Sequence, residues 1–147
     1  MRLGINISLT GQSSGFNPVS LFSGGEQGAW YDPSDISTLF QDSAGTTPVT
    51  AAGQSVGLVL DKSGRGNNAS QAVAGSRPLY QIDGNGRPYL SFDGVDDFLE
   101  TSTITPGTDK SQVFTGLRKL SDAATGIVVQ LSSNFNSNAG SMAIAAP

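Results

Sequence analysis

The stretch YLSFDGVDDFLETS, residues 89–102, holds three closely spaced aspartates, Asp93, Asp96 and Asp97. Carboxylate oxygens bind hard cations such as calcium, and a pair of carboxyl groups can hydrolyse a glycosidic bond. Aspartate also forms turns, because its side chain accepts hydrogen bonds from nearby backbone N–H groups. The sequence therefore allows a metal site, a catalytic site or a turn. The turn is favoured, because Asp93 precedes Gly94 and the spacing matches no loop pattern of calcium ligands.

The sequence contains few residues that could support catalysis. A glycoside hydrolase needs two carboxyl groups about 5 to 9.5 Å apart across the sugar, whereas Asp96 and Asp97 point to opposite faces if the backbone is extended. The two glutamates, Glu26 and Glu100, lie far apart in the sequence. The chain has no histidine and no cysteine, which excludes Ser-His-Asp and Cys-His nucleophiles, thiolate metal sites and disulfides. We therefore expect a protein that is not an enzyme.

A second set of residues could bind a glycan through aromatic faces and exposed hydrogen-bond donors. Its members are Trp30, Tyr31, Arg65 and Asn67. Tyr80 and Tyr89, expected to face each other across a hairpin, would extend the aromatic surface. Each has a structural alternative, since a single tryptophan in a small β domain is usually a buried core residue and the SGRGNN stretch has the composition of a tight loop. The structural alternatives are favoured.

The composition indicates the fold class and excludes some partners. The 147 residues have room for about one domain, and 19 glycines with 7 prolines describe a chain that turns often. This is typical of an all-β protein. The net charge is −4, without a basic cluster, so no nucleic acid partner is expected.

Membrane insertion and export are also not expected. No apolar run approaches the roughly 20 residues of a membrane span. The first residues lack the continuous apolar core of a signal peptide, so we expect a protein that is made in the cytoplasm and is not exported by the Sec route.

Short elements should position the candidate residues. The Asp32-Pro33 turn should lead into a helical turn capped by Ser34 or Asp35 and running through Leu39 and Phe40. Two β-rich runs around the turn residues 83–86 predict a hairpin, and Phe92 and Phe98 should face inward beside the acidic stretch. We expect roughly seven to nine short strands. The predicted strands lie within residues 56–60, 79–82, 89–92, 98–104, 111–119, 126–132 and 141–146.

Residues 1–28 differ from the rest of the chain, because an alternating LGINISL piece is followed by a glycine- and serine-rich stretch with one apolar patch. Such a segment could lie on a partner or on a neighbouring copy. An ordinary first strand with one buried face fits the alternation equally well. The candidate partner-binding residues are Leu3, Ile5, Ile7, Leu9, Phe16, Val19, Leu21 and Phe22.

Three stretches carry a family resemblance: LDKSGRGNNASQA, RPLYQIDGNGRPYLSFDGVDDFL and TDKSQVFTGLRKLSDAATGIVVQLSS. They resemble the laminin-G-like, concanavalin A-like jelly-roll superfamily, in which an L-D-x-S-G-x-x-N turn precedes a strand ending in F-D-G-x-D-D. With LGINISLT and GFNPVSLF in front, the chain more narrowly resembles structural proteins of tailed bacteriophages and prophages. The superfamily's complete domain usually runs further, so the chain resembles its amino-terminal part.

The resemblance implies a jelly-roll-like antiparallel β-sandwich over residues 29–147, either whole or truncated at its carboxyl end, preceded by the extension 1–28. It implies a non-enzymatic protein of the virion, most simply a tail-fibre or appendage component for host-surface recognition or fibre attachment. Its partners would be other virion proteins, further copies in a possible trimer, and host cell-surface polysaccharide. Because the superfamily includes calcium-binding lectins, Asp93, Asp96 and Asp97 are its calcium candidates. The alternative is a protein that decorates or cements the capsid, neck or tail and binds no glycan.

Overall fold

The structure is a computed structural model that describes residues 15–105, 112–119, 126–131 and 143–146. Within these residues the chain forms short strands in antiparallel sheets, and its helices are short 3₁₀ helices. The predicted all-β class is confirmed. The strands are β1 Leu39–Phe40, β2 Leu58–Val59, β3 Ala69–Ser70, β4 Leu79–Ile82, β5 Pro88–Ser91, β6 Glu100–Thr101, β7 Gly126–Gln130 and β8 Ala143–Ala146; the 3₁₀ helices are Pro18–Phe22, Ile36–Thr38 and Ala74–Ser76.

A four-stranded antiparallel sheet has the order β1-β2-β3-β6. In its centre Leu58 pairs with Phe40 on one side and with Ser70 on the other. The ladder extends past the short strands, because Gly57 N donates to Phe40 O (2.8 Å) and Gln71 N donates to Gly57 O (2.9 Å). The strand predicted at 56–60 is therefore confirmed in its central part.

The helical turn predicted through Leu39 and Phe40 is wrong at its end. The 3₁₀ helix stops at Thr38, and Leu39 is already extended, with φ −107° and ψ 132°. Leu39 and Phe40 instead form β1, because β2 offers them a backbone ladder and Leu39 becomes fully buried. Long-range pairing thus overrides the local helix signal.

The hairpin of β4 and β5 forms where it was predicted, shifted by one residue at its second strand. Asp83 closes its turn by accepting hydrogen bonds from the N–H groups of Asn85 and Arg87, both at 2.9 Å. Tyr80 pairs with Leu90, so Tyr89 lies on the opposite face. The expectation that Tyr80 and Tyr89 face each other is therefore wrong.

The core joins the hairpin to the four-stranded sheet. Val56 N donates to Pro78 O (2.8 Å) and Tyr80 N to Gln54 O (2.9 Å), which ties the chain before β2 to β4. Tyr80 is 4% exposed and packs among aliphatic side chains of the sheet. The buried cluster consists of Leu39, Val49, Val56, Val59 and Tyr80, with Tyr31, Ile36, Leu90 and Leu99 packed against it.

Arg77 joins three parts of the chain beside this core. Its guanidinium donates to the carbonyl oxygens of Gln71 (2.9 Å), Ala72 (2.7 Å) and Gln41 (3.1 Å). Gly57 lies directly against this arrangement. A Cβ added at Gly57 would lie 2.8 Å from Gln41 O and 2.9 Å from Arg77 Nε. The close approach of the two backbones therefore requires glycine at this position.

Other expectations are met only in part. Of the strand predicted at 98–104 only β6 forms, and residues 112–119 form no strand, with Phe114 and Leu117 left exposed. Strands β7 and β8 pair with an irregularity between Ile127 and Val129. The described strands make three separate sheets that do not close into a single sandwich. No described helix is long and apolar enough to cross a membrane.

Candidate functional site

The loop of residues 61–67, called the anchor loop below, is organised by one carboxylate. Asp61 Oδ1 accepts hydrogen bonds from the N–H groups of Trp30 (2.9 Å) and Ser63 (2.8 Å). Its Oδ2 accepts from Ser63 Oγ (2.7 Å) and from Asn67 N (3.0 Å). Burial alone would raise the pKa of Asp61, but these hydrogen bonds outweigh burial and lower it. Asp61 therefore stays ionised and holds both ends of the loop.

The anchor loop binds the chain segment that precedes the sheet, residues 15–31, called the arm below. Arg65 Nη2 donates to Phe22 O and Asn67 Nδ2 donates to Gly28 O, both at 2.6 Å. The Tyr31 hydroxyl donates to Asn67 O. Burial, and then the charge of Asp61, raise the pKa of Tyr31, so this hydroxyl remains a donor. The side chains of the loop thus fix the arm through its backbone.

Lys62 covers the tryptophan of the arm. Its Nζ lies 4.7 Å from the centroid of the Trp30 ring, within the range of a cation–π contact. The same Nζ pairs with Asp32 (2.9 Å) and Asp35 (3.0 Å), and these hydrogen bonds raise the pKa of Lys62. Trp30 is half-buried and lies outside the buried cluster. It is therefore neither the predicted core anchor nor an uncovered stacking face.

The structure brings the glycan candidates into contact with the amino-terminal segment, two features that the sequence leaves unconnected. The glycan candidates Trp30, Tyr31, Arg65 and Asn67 all take part in contacts between the arm and the anchor loop. The Tyr31 hydroxyl, Arg65 Nη2 and Asn67 Nδ2 each bond the chain itself, which favours the structural alternative for these residues. Tyr80 is buried in the core and contributes nothing to an exposed aromatic surface.

The other end of the arm is exposed and apolar. Asn17 caps the 3₁₀ helix Pro18–Phe22 by accepting a hydrogen bond from Val19 N (3.1 Å), and no residue of this helix is buried. Phe16 is 72% exposed, Val19 42% and Leu21 38%. These three residues are called the apolar tip below. Among the other predicted partner-binding residues, Phe22 is half-buried, and Leu3, Ile5, Ile7 and Leu9 lie outside the described residues.

The acidic stretch forms the predicted turn. Asp93 Oδ1 accepts hydrogen bonds from the N–H groups of Val95 (2.8 Å), Asp96 (3.3 Å) and Asp97 (3.4 Å), and these lower the pKa of Asp93. Asp97 Oδ2 accepts from Asp93 N at 2.9 Å. Gly94 has φ +77°, which only glycine adopts without strain.

Two details of that prediction are wrong. Phe92 and Phe98 do not face inward, since each is 49% exposed; Leu99 packs against the core instead. Because the backbone turns, Asp96 and Asp97 do not point to opposite faces of a strand. One oxygen from each of Asp93, Asp96 and Asp97 lies within 4.8 Å of the others. The argument that extended geometry keeps these carboxylates apart therefore does not hold.

The same cluster fits calcium poorly. Calcium binds about six to eight oxygens, and in Asp93, Asp96 and Asp97 one oxygen of each carboxylate already accepts hydrogen bonds from the chain. For Asp96 the donor is Ser76 Oγ at 2.8 Å. The spacing of the carboxylates would suit a cation, but three carboxylates supply fewer ligands than calcium binds, and one oxygen of each already accepts a hydrogen bond.

We expect millimolar calcium to leave the thermal midpoint of the protein unchanged, because the turn is held by backbone N–H groups and not by a cation. Thermal unfolding followed with and without calcium chloride measures this. Asp97→Asn tests the cluster, and Asp83→Asn serves as the control, since Asp83 belongs to a different turn. A calcium-dependent rise that Asp97→Asn removes and Asp83→Asn retains would contradict the expectation.

Comparisons with protein-family models, with curated proteins and with solved structures gave no match. The function proposed below is therefore based on the geometry of the arm and the anchor loop, and on the sequence resemblance.

Sequence reasoning missed the residues that organise the site. From the sequence, Asp61, Ser63 and Gly64 are predicted only as turn residues that close the strand at 56–60, although D-x-S-G is a common pattern for an aspartate that bonds the backbone two residues later. The bond from Trp30 N to Asp61 has no local signal, because the two residues lie 31 positions apart. The ion pairs of Lys62 with Asp32 and Asp35 likewise join distant segments.

Proposed function

We propose that this protein is a non-enzymatic structural component of a tailed-bacteriophage virion, a tail-fibre or appendage protein that attaches through its arm. The observation that carries the proposal is the arm itself, which is fixed to the body at Trp30 and Tyr31 and exposes three apolar side chains at its other end. The resemblance to phage structural proteins supports the same reading. The partners are other virion proteins, and the copies are proposed to associate, with a trimer as the first arrangement to test.

The physical argument for attachment is the burial of the apolar tip. Fully burying an apolar side chain contributes about 1.5 to 3 kcal/mol, so three such side chains can supply a useful share of an interface. The arm is already held by the anchor loop, so less conformational freedom is lost when the tip docks. For residues 29–147 we propose a jelly-roll-like sandwich, a fold supported by antiparallel sheets joined by tight aspartate turns.

The triple variant Phe16→Ser/Val19→Ser/Leu21→Ser is expected to enter particles about a hundredfold less well than the wild-type chain, because each lost apolar contact weakens docking by roughly 1 kcal/mol or more. Both chains are produced together in cells that make the particles, and their ratio in purified particles is measured by mass spectrometry. The control is Val73→Ser/Val95→Ser, which removes two exposed valines elsewhere. Equal incorporation of the triple variant and the control would overturn attachment through the tip.

A second candidate function is decoration or cementing of the capsid, neck or tail without glycan binding. It is favoured by the hydrogen bonds that the Tyr31 hydroxyl, Arg65 Nη2 and Asn67 Nδ2 make to the chain itself. Immunogold electron microscopy of particles with an antibody against residues 29–147 separates the two candidates. Label at distal fibres, together with binding of the purified protein to host envelope polysaccharide, supports host recognition. Label on the capsid or neck supports decoration.

A further inference from the structure

We infer that Arg65 is the positioning residue of the arm: its hydrogen bond to the carbonyl of Phe22 sets the direction in which the apolar tip leaves the body. This inference rests on the proposed function, since the direction of the apolar tip affects assembly only if the tip docks onto a partner. It assigns Arg65 a role in assembly, beyond both the tight-loop role and the glycan contact that the sequence suggests.

The arm has two parts, which are attached to the body by different numbers of hydrogen bonds. Residues 28–31 are attached by several bonds, from Asn67 to Gly28, from Trp30 to Asp61, and from Tyr31 to Asn67. In residues 15–27 the described hydrogen bonds are local, apart from the bond of Arg65 Nη2 to Phe22 O. Removing that bond would leave the part that carries the tip without a described hydrogen bond to the body.

The intervening chain cannot fix the direction by itself. Between Phe22 and Gly28 lie Gly24 and Gly25, and Gly25 has φ +95°. Glycine has a wide choice of backbone conformations, so the segment needs an outside contact to hold one of them. The Phe22 carbonyl, at the end of the 3₁₀ helix Pro18–Phe22, is the place where that contact acts.

Arg65 is itself held in place. Its backbone N–H donates to Ser63 Oγ (3.2 Å), and Ser63 is in turn fixed by Asp61. The neighbours Gly64 and Gly66 have φ +82° and +76°, which shapes the loop around it. Arg65 Nε is buried without a hydrogen-bond partner among the described residues. An arginine side chain that faced water would have all its N–H groups hydrated. The burial of Arg65 Nε therefore indicates that contact with the arm determines the conformation of the Arg65 side chain.

The test uses the absence of cysteine from the chain. Spin labels on Ser20→Cys in the arm and Ala52→Cys in an exposed turn of the body report the distribution of distances between arm and body by pulsed electron paramagnetic resonance. Arg65→Gln is expected to broaden this distribution. In unlabelled protein the same substitution is expected to lower incorporation into particles about tenfold, the scale of one hydrogen bond to a charged group.

The control is Arg87→Gln, which removes the same charge from an exposed side chain paired with Asp83 on the hairpin. It should leave both the distance distribution and incorporation unchanged, and its thermal midpoint should be close to that of Arg65→Gln. A distribution unchanged by Arg65→Gln would overturn the inference. A broadened distribution with wild-type incorporation would also overturn it, while the triple serine variant still tests the proposed function. Normal incorporation of that triple variant would mean instead that the proposed function itself has failed.

Discussion

Asp61→Ala is expected to lower the free energy of unfolding by about 3 to 4 kcal/mol and to free the arm. Four hydrogen bonds end on this carboxylate, from Trp30 N, Ser63 N, Ser63 Oγ and Asn67 N. A hydrogen bond to a charged group contributes about 1.5 to 3 kcal/mol, and bonds that share one acceptor group do not add fully. The removal leaves three partly buried backbone N–H groups without their acceptor, two in the anchor loop and one in the arm.

Urea unfolding of Asp61→Ala, followed by tryptophan fluorescence, measures this loss of unfolding free energy. The signal comes from the affected contact, because Trp30 is the only tryptophan and its N–H bonds Asp61. The control is Asp35→Ala, since Asp35 is an exposed partner of Lys62 that bonds no distant backbone group. We expect the control to stay close to the wild type. Equal losses in the two variants would show that Asp61 acts as an ordinary surface charge.

Gly57→Ala is expected to destabilise the protein by about 3 kcal/mol, the upper part of the range for overpacking. The new methyl group would meet Gln41 O at 2.8 Å and Arg77 Nε at 2.9 Å. The oxygen belongs to the backbone next to β1, and Arg77 cannot retreat without losing its bonds to Gln71 O and Ala72 O. Relief therefore requires a shift of the sheet or the loss of hydrogen bonds.

The matched control is Gly75→Ala, because an added Cβ at Gly75 meets no atom within 4 Å. Its change should stay within about 0.5 kcal/mol. Urea midpoints of both variants are compared at a constant m-value. Adding Arg77→Met to Gly57→Ala should cause less than the sum of the two single losses, since the first change already disturbs the contact that the second removes. A fully additive result would contradict the proposed clash.

The parts of the fold that the sequence predicts are those with local causes. The hairpin of β4 and β5 follows from Asp83 and the glycines beside it, and the turn at Asp93 follows from its own N–H donors. Leu39 and Phe40 were assigned to a helical turn because their neighbours favour one. Their actual strand depends on β2, a segment that local patterns cannot place beside them.

The sequence identifies the residue types of the candidate site but leaves two roles for them, a glycan contact and a structural contact. Trp30, Tyr31, Arg65 and Asn67 do lie together, but the donors of Arg65 and Asn67 bind backbone carbonyls of the arm. A sequence shows that an arginine or asparagine can donate hydrogen bonds, and not whether its acceptor is a ligand or the chain itself. Only the folded positions of Phe22 and Gly28 decide that question.

The spans of the aspartate contacts have a consequence for the order in which the molecule forms. The carboxylates of Asp42, Asp83 and Asp93 bond backbone N–H groups no more than five residues away, so their turns can close early. The bond from Arg65 to Phe22 closes a loop of 43 residues, longer than the 36 residues spanned by the bond from Arg77 to Gln41 in the body, and longer loops lose more chain entropy on closure. The contact between Arg65 and the arm is therefore expected to form last, on a body that is already folded. Each newly made copy would then pass through a stage in which the orientation of its apolar tip is not yet fixed.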